Sequence, residues 1–320
     1  MTTTAGPAVK APTKPISKQR VGDRVFSGST LAAGSLILAV LAAVAAFLLI
    51  QGMPGIVADP ETTSILRGQS FWEYVWPLVF GTLWAATIAL VMAIPLAIGI
   101  ALFISHYAPR ALATVLGYII DLLAAVPSVV FGLWGANVLA PASRTAYAWL
   151  EQHLGWIPLF AGPASGTGRS ILTAGIVLAV MVLPIITAIC REVFLQTPVL
   201  HEEAALALGA TRWEMIRMSV LPFARAGIVS GAMLGLGRAL GETMAVAMVL
   251  SASGVVTFNL ISSNNPSTIA ANIALSFPEA YGINVNVLIA TGLILFAITL
   301  VVNSLARYIV NRRKEFSGAN

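Results

Sequence analysis

The chain has 320 residues, of which 58% are hydrophobic and only 10% are charged, and its formal net charge is +5. Because soluble domains carry about 25% charged residues, this composition excludes an ordinary soluble enzyme and indicates a multi-pass membrane protein. Membrane topology and attraction to anionic membrane lipids account for the basic excess, so nucleic-acid binding is not needed to explain it.

Windows of about twenty apolar residues predict six membrane-spanning helices in an all-α integral membrane protein. The predicted spans are Leu31–Ile50, Thr82–Ile104, Leu116–Leu139, Ile171–Cys190, Ile228–Leu250 and Val287–Ile309. Pro95 and Pro127 lie inside the second and third spans, where a membrane helix tolerates proline if its neighbours satisfy the freed carbonyl. We assign residues 25–55 to the first transmembrane helix and residues 70–310 to the core of the protein.

The distribution of lysine and arginine predicts the orientation, because cytoplasmic segments are enriched in both. With the N-terminus inside, fourteen of the 18 basic residues lie in cytoplasmic segments, three lie on the opposite side, and Arg238 lies in the membrane. Both termini are therefore predicted to be cytoplasmic. Residues 1–24, rich in Thr, Pro and Lys, are expected to form a flexible basic tail, and residues 311–320 a second cytoplasmic tail.

The sequence predicts neither a cofactor nor a catalytic residue in this chain. Its three histidines, His106, His153 and His201, lie in different loops without the spacing of metal ligands. No Gly-x-x-x-x-Gly-Lys-Ser/Thr sequence is present, so the chain has no phosphate-cradling loop of its own for ATP.

The third span contains two polar candidates. Asp121 lies near its inner end and is expected to reach the membrane interface, with Arg110 or Arg225 as the alternative partner. Ser128 follows Pro127 directly. Two roles stay open for its hydroxyl: contact with a transported anion, or a hydrogen bond to the broken backbone.

The loop between the fourth and fifth spans predicts two short helices joined by a glycine at the membrane surface. Thr197 is placed to cap the first helix, with a proline at its first position, and Gly209 ends that helix. Thr211 and Glu214 form a capping box for the second helix. Pro222 is expected to limit how far the second helix runs.

This loop resembles the coupling motif of ABC importer permeases, in which Glu-Ala-Ala is followed after three residues by Gly and later by Ile-x-Leu-Pro. Ser219 stands where the family usually has Ile. The resemblance implies that a separate nucleotide-binding subunit, which binds ATP and Mg, docks on this helix and moves the spans. An amphipathic interfacial helix without a partner is the alternative. The matching residues are Glu203, Ala204, Ala205, Gly209, Leu221 and Pro222.

The fifth span carries two charged residues, Arg238 and Glu242, in an otherwise apolar stretch. Residues four apart lie on one face of a helix, so we predict that these side chains pair. Gly231 and Gly235 share that stripe, which is expected to face protein or a substrate path because small residues let membrane helices pack closely. Two interpretations remain from these residues alone: an anion path lined by Arg238, or a charge pair that locks two helices together.

Two runs, Gly237–Val246 and Ala124–Gly132, resemble the PstC-type permease subunits of bacterial phosphate ABC importers. Within the first run, Met244–Val246 favours the PstC type over the related PstA type. The resemblance covers about residues 70–310. It implies the type I ABC importer permease fold and a place in the bacterial inner membrane.

The same resemblance implies the partners: a homologous PstA-type permease, a dimer of PstB-type ATP-binding subunits and an extracellular PstS-type phosphate-binding protein. It also associates Arg238 and Glu242 with phosphate transport. The predicted function is import of inorganic phosphate. The alternatives are another oxyanion such as sulfate or molybdate, an ATP-independent secondary transporter, for which no inverted repeat is visible, and a membrane sensor that transports nothing.

Overall fold

A computed structural model describes the backbone of residues 21–314 and the side chains of residues 22–308. Residues 1–20 and 315–320 of the two predicted tails lie outside this range, whereas residues 21–24 and 311–314 are helical. The chain divides into two compact units, Met1–Phe47 and Leu48–Asn320. In chain order the helices are α1 (Val21–Ile56), α2 (Phe71–Leu102), α3 (Arg110–Ala124), α4 (Ser128–Trp134), α5 (Ala140–Leu154), α6 (Ile171–Leu195), α7 (Val199–Ala207), α8 (Arg212–Met215), α9 (Leu221–Gly241), α10 (Met244–Val249), α11 (Ile269–Ser276) and α12 (Ile283–Lys314).

Within residues 21–314, five helical stretches are long and apolar enough to cross a bilayer, and a sixth crossing is reached if one bent helix pair counts as a span. The first, fourth and sixth predicted spans fall within α1, α6 and α12. The second falls within α2 and the π-helical turn Phe103–Tyr107 that continues it. The prediction of an all-α, multi-pass membrane protein is therefore confirmed.

The third predicted span is not one continuous helix. Helix α3 ends at Ala124, α4 begins at Ser128, and the α3 axis makes an angle of 91° with the α4–α5 stretch. Pro127 lacks an N–H donor and disfavours helical backbone at Val126, so the chain turns here instead of bending gently. The span predicted from Leu116 to Leu139 is therefore sharply bent at Pro127 and is not one continuous helix.

The fifth predicted span, Ile228–Leu250, is also interrupted, although no proline lies at the break. Helix α9 ends at Gly241, and Glu242 has extended backbone with φ −70° and ψ 128°. Helix α10 then starts at Met244. Glycine is a poor helix former, and the two glycines in the last turn of α9, Gly237 and Gly241, make this an easy place for the helix to end.

Small residues allow α2 and α6 to approach closely in the core. Along α2, Ala85, Ala89, Ala93, Ala97 and Ala101 recur every fourth residue and are buried. This spacing places them on one face of the helix. In a membrane, where the lipid is as apolar as the side chains, such close packing supplies van der Waals attraction between helices. The large buried side chains of α6 that share this core include Val177, Leu178, Met181, Val182 and Ile186.

Helix α9 packs on α6 through glycines. A side chain added at Gly231 would lie 3.2 Å from Ile189 Cγ2, and one added at Gly235 would lie 2.8 Å from Ile186 Cδ1. Both glycines are buried. The predicted small-residue stripe therefore faces protein, and the protein that it faces is α6.

Candidate functional site

The segment predicted to couple to a partner consists of α7, a glycine turn and α8. Gly209 follows α7 with φ +89°, the left-handed conformation that glycine adopts without strain. Thr211 and Glu214 form the predicted capping box, with the Thr211 N–H donating to Glu214 Oε2 at 2.8 Å. The glycine end and the capping box are both confirmed.

Two details of this segment differ from prediction. Thr197 does not cap α7, since the cap position is Pro198 and no side chain bonds there. Thr197 is instead buried, and its Oγ1 has no hydrogen-bond partner within the described residues. Pro222 does not limit the second helix either, because helical structure runs unbroken from Arg212 to Gly241.

A π-helical turn, Ile216–Val220, explains how the helix passes Pro222. The Leu221 N–H donates to the Ile216 carbonyl, one residue further back than in an α-helix. Pro222 then occupies the first turn of α9, where its missing donor costs little. Because of this turn, α8 continues directly into the membrane-spanning helix.

The surface of the coupling segment is unusually apolar. Leu208 is 90% exposed, and Leu200, Trp213, Leu206 and Val199 are also exposed. Of the motif residues, Glu203, Ala204, Gly209 and Pro222 are exposed, and Ala205 and Leu221 are half-buried. Exposed apolar surface of this extent is typical of a protein interaction site.

One side-chain contact joins α7 to the end of α2. His106 Nε2 lies 3.4 Å from Glu202 Oε1, and His106 Nδ1 lies 2.6 Å from Ser105 Oγ. Within residues 22–308 this is the one carboxylate–cation pair, with His106 carrying the charge when protonated. The two partners are 96 residues apart, and neither a motif nor helical spacing connects them, so the sequence analysis missed the contact.

Arg238 and Glu242 do not pair in the way that their spacing predicts. Stacking four residues apart needs a continuous helix, and α9 ends at Gly241. Glu242 is 8% exposed, and its Oε1 accepts a hydrogen bond from the Ala245 N–H at 3.1 Å. In the described part of the chain no carboxylate lies within 4.0 Å of the Arg238 guanidinium. Glu242 therefore stabilises the start of α10 instead of neutralising Arg238.

Arg238 lines a cavity of about 740 Å³ between α6, α9 and α12. Apolar side chains such as Ile185 form most of its wall, and Ser230, Asn303 and Arg307 join Arg238 as its polar residues. Arg307 is one of the fourteen basic residues in the predicted cytoplasmic segments, and nothing in the sequence connects it with Arg238. Residues on two different helices share the cavity, and sequence spacing cannot reveal that.

Ser128 and Asp121 lie outside this cavity. Ser128 is half-buried at the start of α4, and Asp121 is exposed on α3. Helix α4 packs on α10, since a side chain added at Gly132 would lie 2.9 Å from the Ala245 Cα. The two helices that follow the two breaks are therefore in contact. Asp121 makes no ion pair with either predicted arginine within the described residues.

No group of three or more His, Cys, Asp and Glu side chains between residues 22 and 308 is placed to hold a metal ion. The described residues form an all-helical membrane body, an exposed apolar segment continuous with a span, and an arginine-lined cavity. These features define a membrane permease that works with other subunits. Residues 93–315 match the binding-protein-dependent transport system inner membrane component family, and the chain belongs to that family.

Among individual proteins, the chain is similar to the phosphate transport system permease protein PstC 2 of Mycobacterium tuberculosis. The two are 45% identical over 303 residues, which cover 91% of this chain and 92% of that protein. PstC of Mycobacterium leprae is 46% identical over 214 residues, covering 66% of this chain and 67% of its own length.

Solved structures show the same fold. A bacterial ABC transporter involved in the import of the acidic polysaccharide alginate matches with a TM-score of 0.60, covering 92% of this chain and 99% of that chain. The sequence identity is 16%, so this likeness concerns architecture alone. The predicted ABC importer permease fold is confirmed.

Proposed function

We propose that this chain is the permease subunit of an ATP-driven importer of inorganic phosphate in the bacterial inner membrane, with both termini in the cytoplasm. The observation that carries the proposal is the 45% identity, over nearly the whole chain, to a phosphate transport system permease protein. The arginine-lined cavity supports it, because a guanidinium presents a planar fork of donors suited to a phosphate oxyanion.

The chain works with four other subunits in this proposal. A homologous PstA-type permease completes the path, an extracellular PstS-type protein delivers phosphate, and a dimer of PstB-type subunits binds ATP and Mg. This permease itself does no chemistry and holds no metal or cofactor. The partner kinds follow the binding-protein-dependent family to which the chain belongs.

The coupling segment is the proposed docking site for a PstB-type subunit. Its exposed leucines supply apolar contact, and small Ala204 beside acidic Glu203 lets a partner approach closely and offers acceptors to its basic groups. Gly209 shapes the turn, and Leu221 and Pro222 lie where α8 continues into the span. Closure of the ATPase dimer therefore pulls on one continuous helix from Arg212 to Gly241.

Arg238, Glu242 and Ser128 are the proposed path residues. Arg238 supplies positive potential in the cavity. Glu242 holds the start of α10 through the Ala245 N–H, and Ser128 starts α4, which packs on α10. In this arrangement the anion is attracted by Arg238, and the two broken helices form the element that opens and closes beside it.

Phosphate uptake by proteoliposomes that hold the assembled complex tests the proposal. Arg238→Gln is expected to lower uptake by about tenfold to a hundredfold, because a charge-assisted hydrogen bond contributes about 1.5–3 kcal/mol. Arg144→Gln is the matched control, since Arg144 is exposed on α5 and donates to the Pro141 carbonyl. Normal uptake by an assembled Arg238→Gln complex would remove Arg238 from the path.

Sulfate and molybdate competition in the same vesicles separates phosphate from other oxyanions. If phosphate is the substrate, a tenfold excess of either competitor leaves uptake unchanged when the binding protein is present. Uptake that continues without ATP or the ATPase subunits would instead indicate a secondary transporter.

A further inference from the structure

The cavity that contains Arg238 is lined by a second arginine that no sequence motif identifies. Arg307 lies on α12 and is exposed, whereas Arg238 lies in the last turn of α9 and is half-buried. Both side chains line the same cavity of about 740 Å³. Because they come from different helices, the spacing between them is set by how α9 packs against α12 and not by the chain between them.

The two positive charges in this cavity have no protein counter-charge among the described residues. None of its described lining residues is acidic, and no carboxylate of residues 22–308 lies within 4.0 Å of either guanidinium. Two like charges that line one cavity repel each other. An anion between them removes this repulsion, and a doubly charged one matches the two arginines.

The remaining polar residues fit the same ligand. The Asn303 side chain lines the cavity and makes no hydrogen bond to the described part of the chain, so its amide N–H groups are available as donors. Ser230 donates its hydroxyl proton to the Ala226 carbonyl at 2.9 Å and leaves only acceptor capacity. Two guanidinium forks and one amide therefore face the cavity, a set of donors that suits tetrahedral phosphate oxygens.

We infer that Arg238, Arg307 and Asn303 together form a binding site for a phosphate group. The ligand is either free phosphate in transit or the phosphate of an anionic lipid headgroup, which presents the same oxygens. The cavity is much larger than one water, whose share of liquid volume is about 30 Å³, so the anion keeps part of its hydration shell. The site is divided between α9 and α12, and α9 is continuous with the coupling segment, so movement of that segment separates the two arginines and releases the ligand.

Binding of radiolabelled inorganic phosphate to the assembled permease–ATPase complex, without the phosphate-binding protein, in neutral phosphatidylcholine nanodiscs tests this site directly. Arg307→Gln is expected to weaken binding by about tenfold. Arg307→Lys keeps the charge but not the fork and is expected to lie between it and the wild type. Asn303→Asp places a carboxylate beside the arginines, and it should abolish binding while the complex becomes more heat-stable. Arg144→Gln is the control for losing a positive charge elsewhere.

A second arm identifies the source of the phosphate group. Nanodiscs that contain phosphatidylglycerol are used to count lipids retained by the complex, by native mass spectrometry. Loss of free-phosphate binding in Arg307→Gln supports a transit site, and loss of retained phosphatidylglycerol with unchanged free-phosphate binding supports a lipid site. If both measurements match the wild type in a folded, assembled Arg307→Gln complex, the inference is wrong.

If the ligand is free phosphate, this inference rests on the proposed transport function. Measurements of phosphate uptake distinguish a failure of the two-arginine site from a failure of the proposed function. Uptake that fails in Arg238→Gln but is normal in Arg307→Gln, with unchanged binding of both phosphate and lipid, overturns the two-arginine site and leaves the proposed function intact. A wild-type complex that takes up no phosphate overturns the proposed function, whereas loss of retained lipid in Arg307→Gln would still support the site.

Discussion

Helical structure is continuous at one end of α9 and interrupted at the other. At its start lies Pro222, a residue that normally interrupts helices, yet helical structure runs through it by way of the π-helical turn Ile216–Val220. At its other end no proline is present, yet the helix stops at Gly241 and resumes at Met244. The same span is therefore continuous where it meets the coupling segment and interrupted beside Arg238.

The difference shows that backbone hydrogen bonding decides where this span bends. At Pro222 the π-helical turn provides the Leu221 N–H with an acceptor, so helical structure continues into α9. At the other end the Glu242 carboxylate provides an acceptor for the Ala245 N–H, so a new helix can start there. In the proposed transporter the continuous helix acts as a lever, and it carries movement from the docked partner to a hinge at Glu242.

The largest expected effect comes from changing the turn at Gly209. Proline requires φ near −65°, and Gly209 has φ +89°, so Gly209→Pro must rebuild the turn and displace α7 from α8. We expect phosphate uptake and phosphate-stimulated ATP hydrolysis in proteoliposomes to fall at least a hundredfold while the protein still inserts.

Gly68→Pro is the matched control, because Gly68 also has positive φ, at +78°, and a side chain there would meet nothing within 4 Å. Gly68→Pro therefore introduces the same kind of backbone strain at a position far from the coupling segment in sequence. If Gly68→Pro and Gly209→Pro lower the stimulation of ATP hydrolysis equally, the turn at Gly209 has no specific role in coupling, and the proposed lever is wrong.

A smaller loss of uptake is expected from substitutions at Glu242. Comparing two of them distinguishes a role in starting α10 from a role of the negative charge. Glu242→Ala removes the acceptor for the Ala245 N–H, and losing such a cap costs about 0.5–2 kcal/mol. Glu242→Gln keeps an oxygen acceptor without the charge. We expect uptake to fall more than tenfold in Glu242→Ala and only a few-fold in Glu242→Gln. Equal losses in both variants would mean that the charge itself matters and that capping does not explain the residue.

The apolar body of this protein was predictable because long runs without charge have few other solutions than a membrane helix. The breaks in the third and fifth predicted spans were not predictable from hydropathy. Hydropathy measures how apolar a stretch is and says nothing of where its hydrogen bonds continue, so a span through Pro127 and one through Glu242 both looked intact. The break at Glu242 also depends on a tertiary partner, since α10 packs on α4 at Gly132.

The residues of the candidate site divide in the same way, into those that local sequence patterns predict and those that depend on helix packing. The Glu-Ala-Ala motif, Gly209 and the Thr211–Glu214 capping box are local patterns, and the residues that make each contact lie within a few positions of each other. Arg307 and the His106–Glu202 contact depend on which helices become neighbours. A single sequence without a fold does not contain that information, so Arg238 was found and its companion was missed.

Next in size is an effect on stability where α9 packs on α6. A methyl group added at Gly235 would lie 2.8 Å from Ile186 Cδ1, whereas one added at Gly237 would meet nothing within 4 Å. Overpacking costs about 1–3 kcal/mol, and replacing an unhindered helical glycine by alanine gains up to about 1 kcal/mol. We expect Gly235→Ala to lower the melting temperature of the purified complex and Gly237→Ala to raise it. A rise in both variants would show that the contact with α6 is loose.

The smallest expected effect lies at the contact between α2 and α7. His106 and Glu202 are both half-buried and approach only to 3.4 Å, and a hydrogen bond of this length lies at the weak end of the usual range, about 0.5–1 kcal/mol. A second bond supports the same helix, since Ser219 Oγ donates to the His201 carbonyl at 3.3 Å. We therefore expect His106→Gln or Glu202→Gln alone to lower uptake by less than fivefold.

A double-mutant cycle decides whether this small contact belongs to the lever. If His106 and Glu202 act through each other, the double variant loses no more uptake than the more damaging single variant. Adding Ser219→Ala then removes the second bond to α7, and the combined loss should exceed that of the double variant but stay below that of Gly209→Pro. Strict additivity of the two single losses would mean that each side chain acts separately, and α7 would then be held to the membrane body by α8 and the π-helical turn alone.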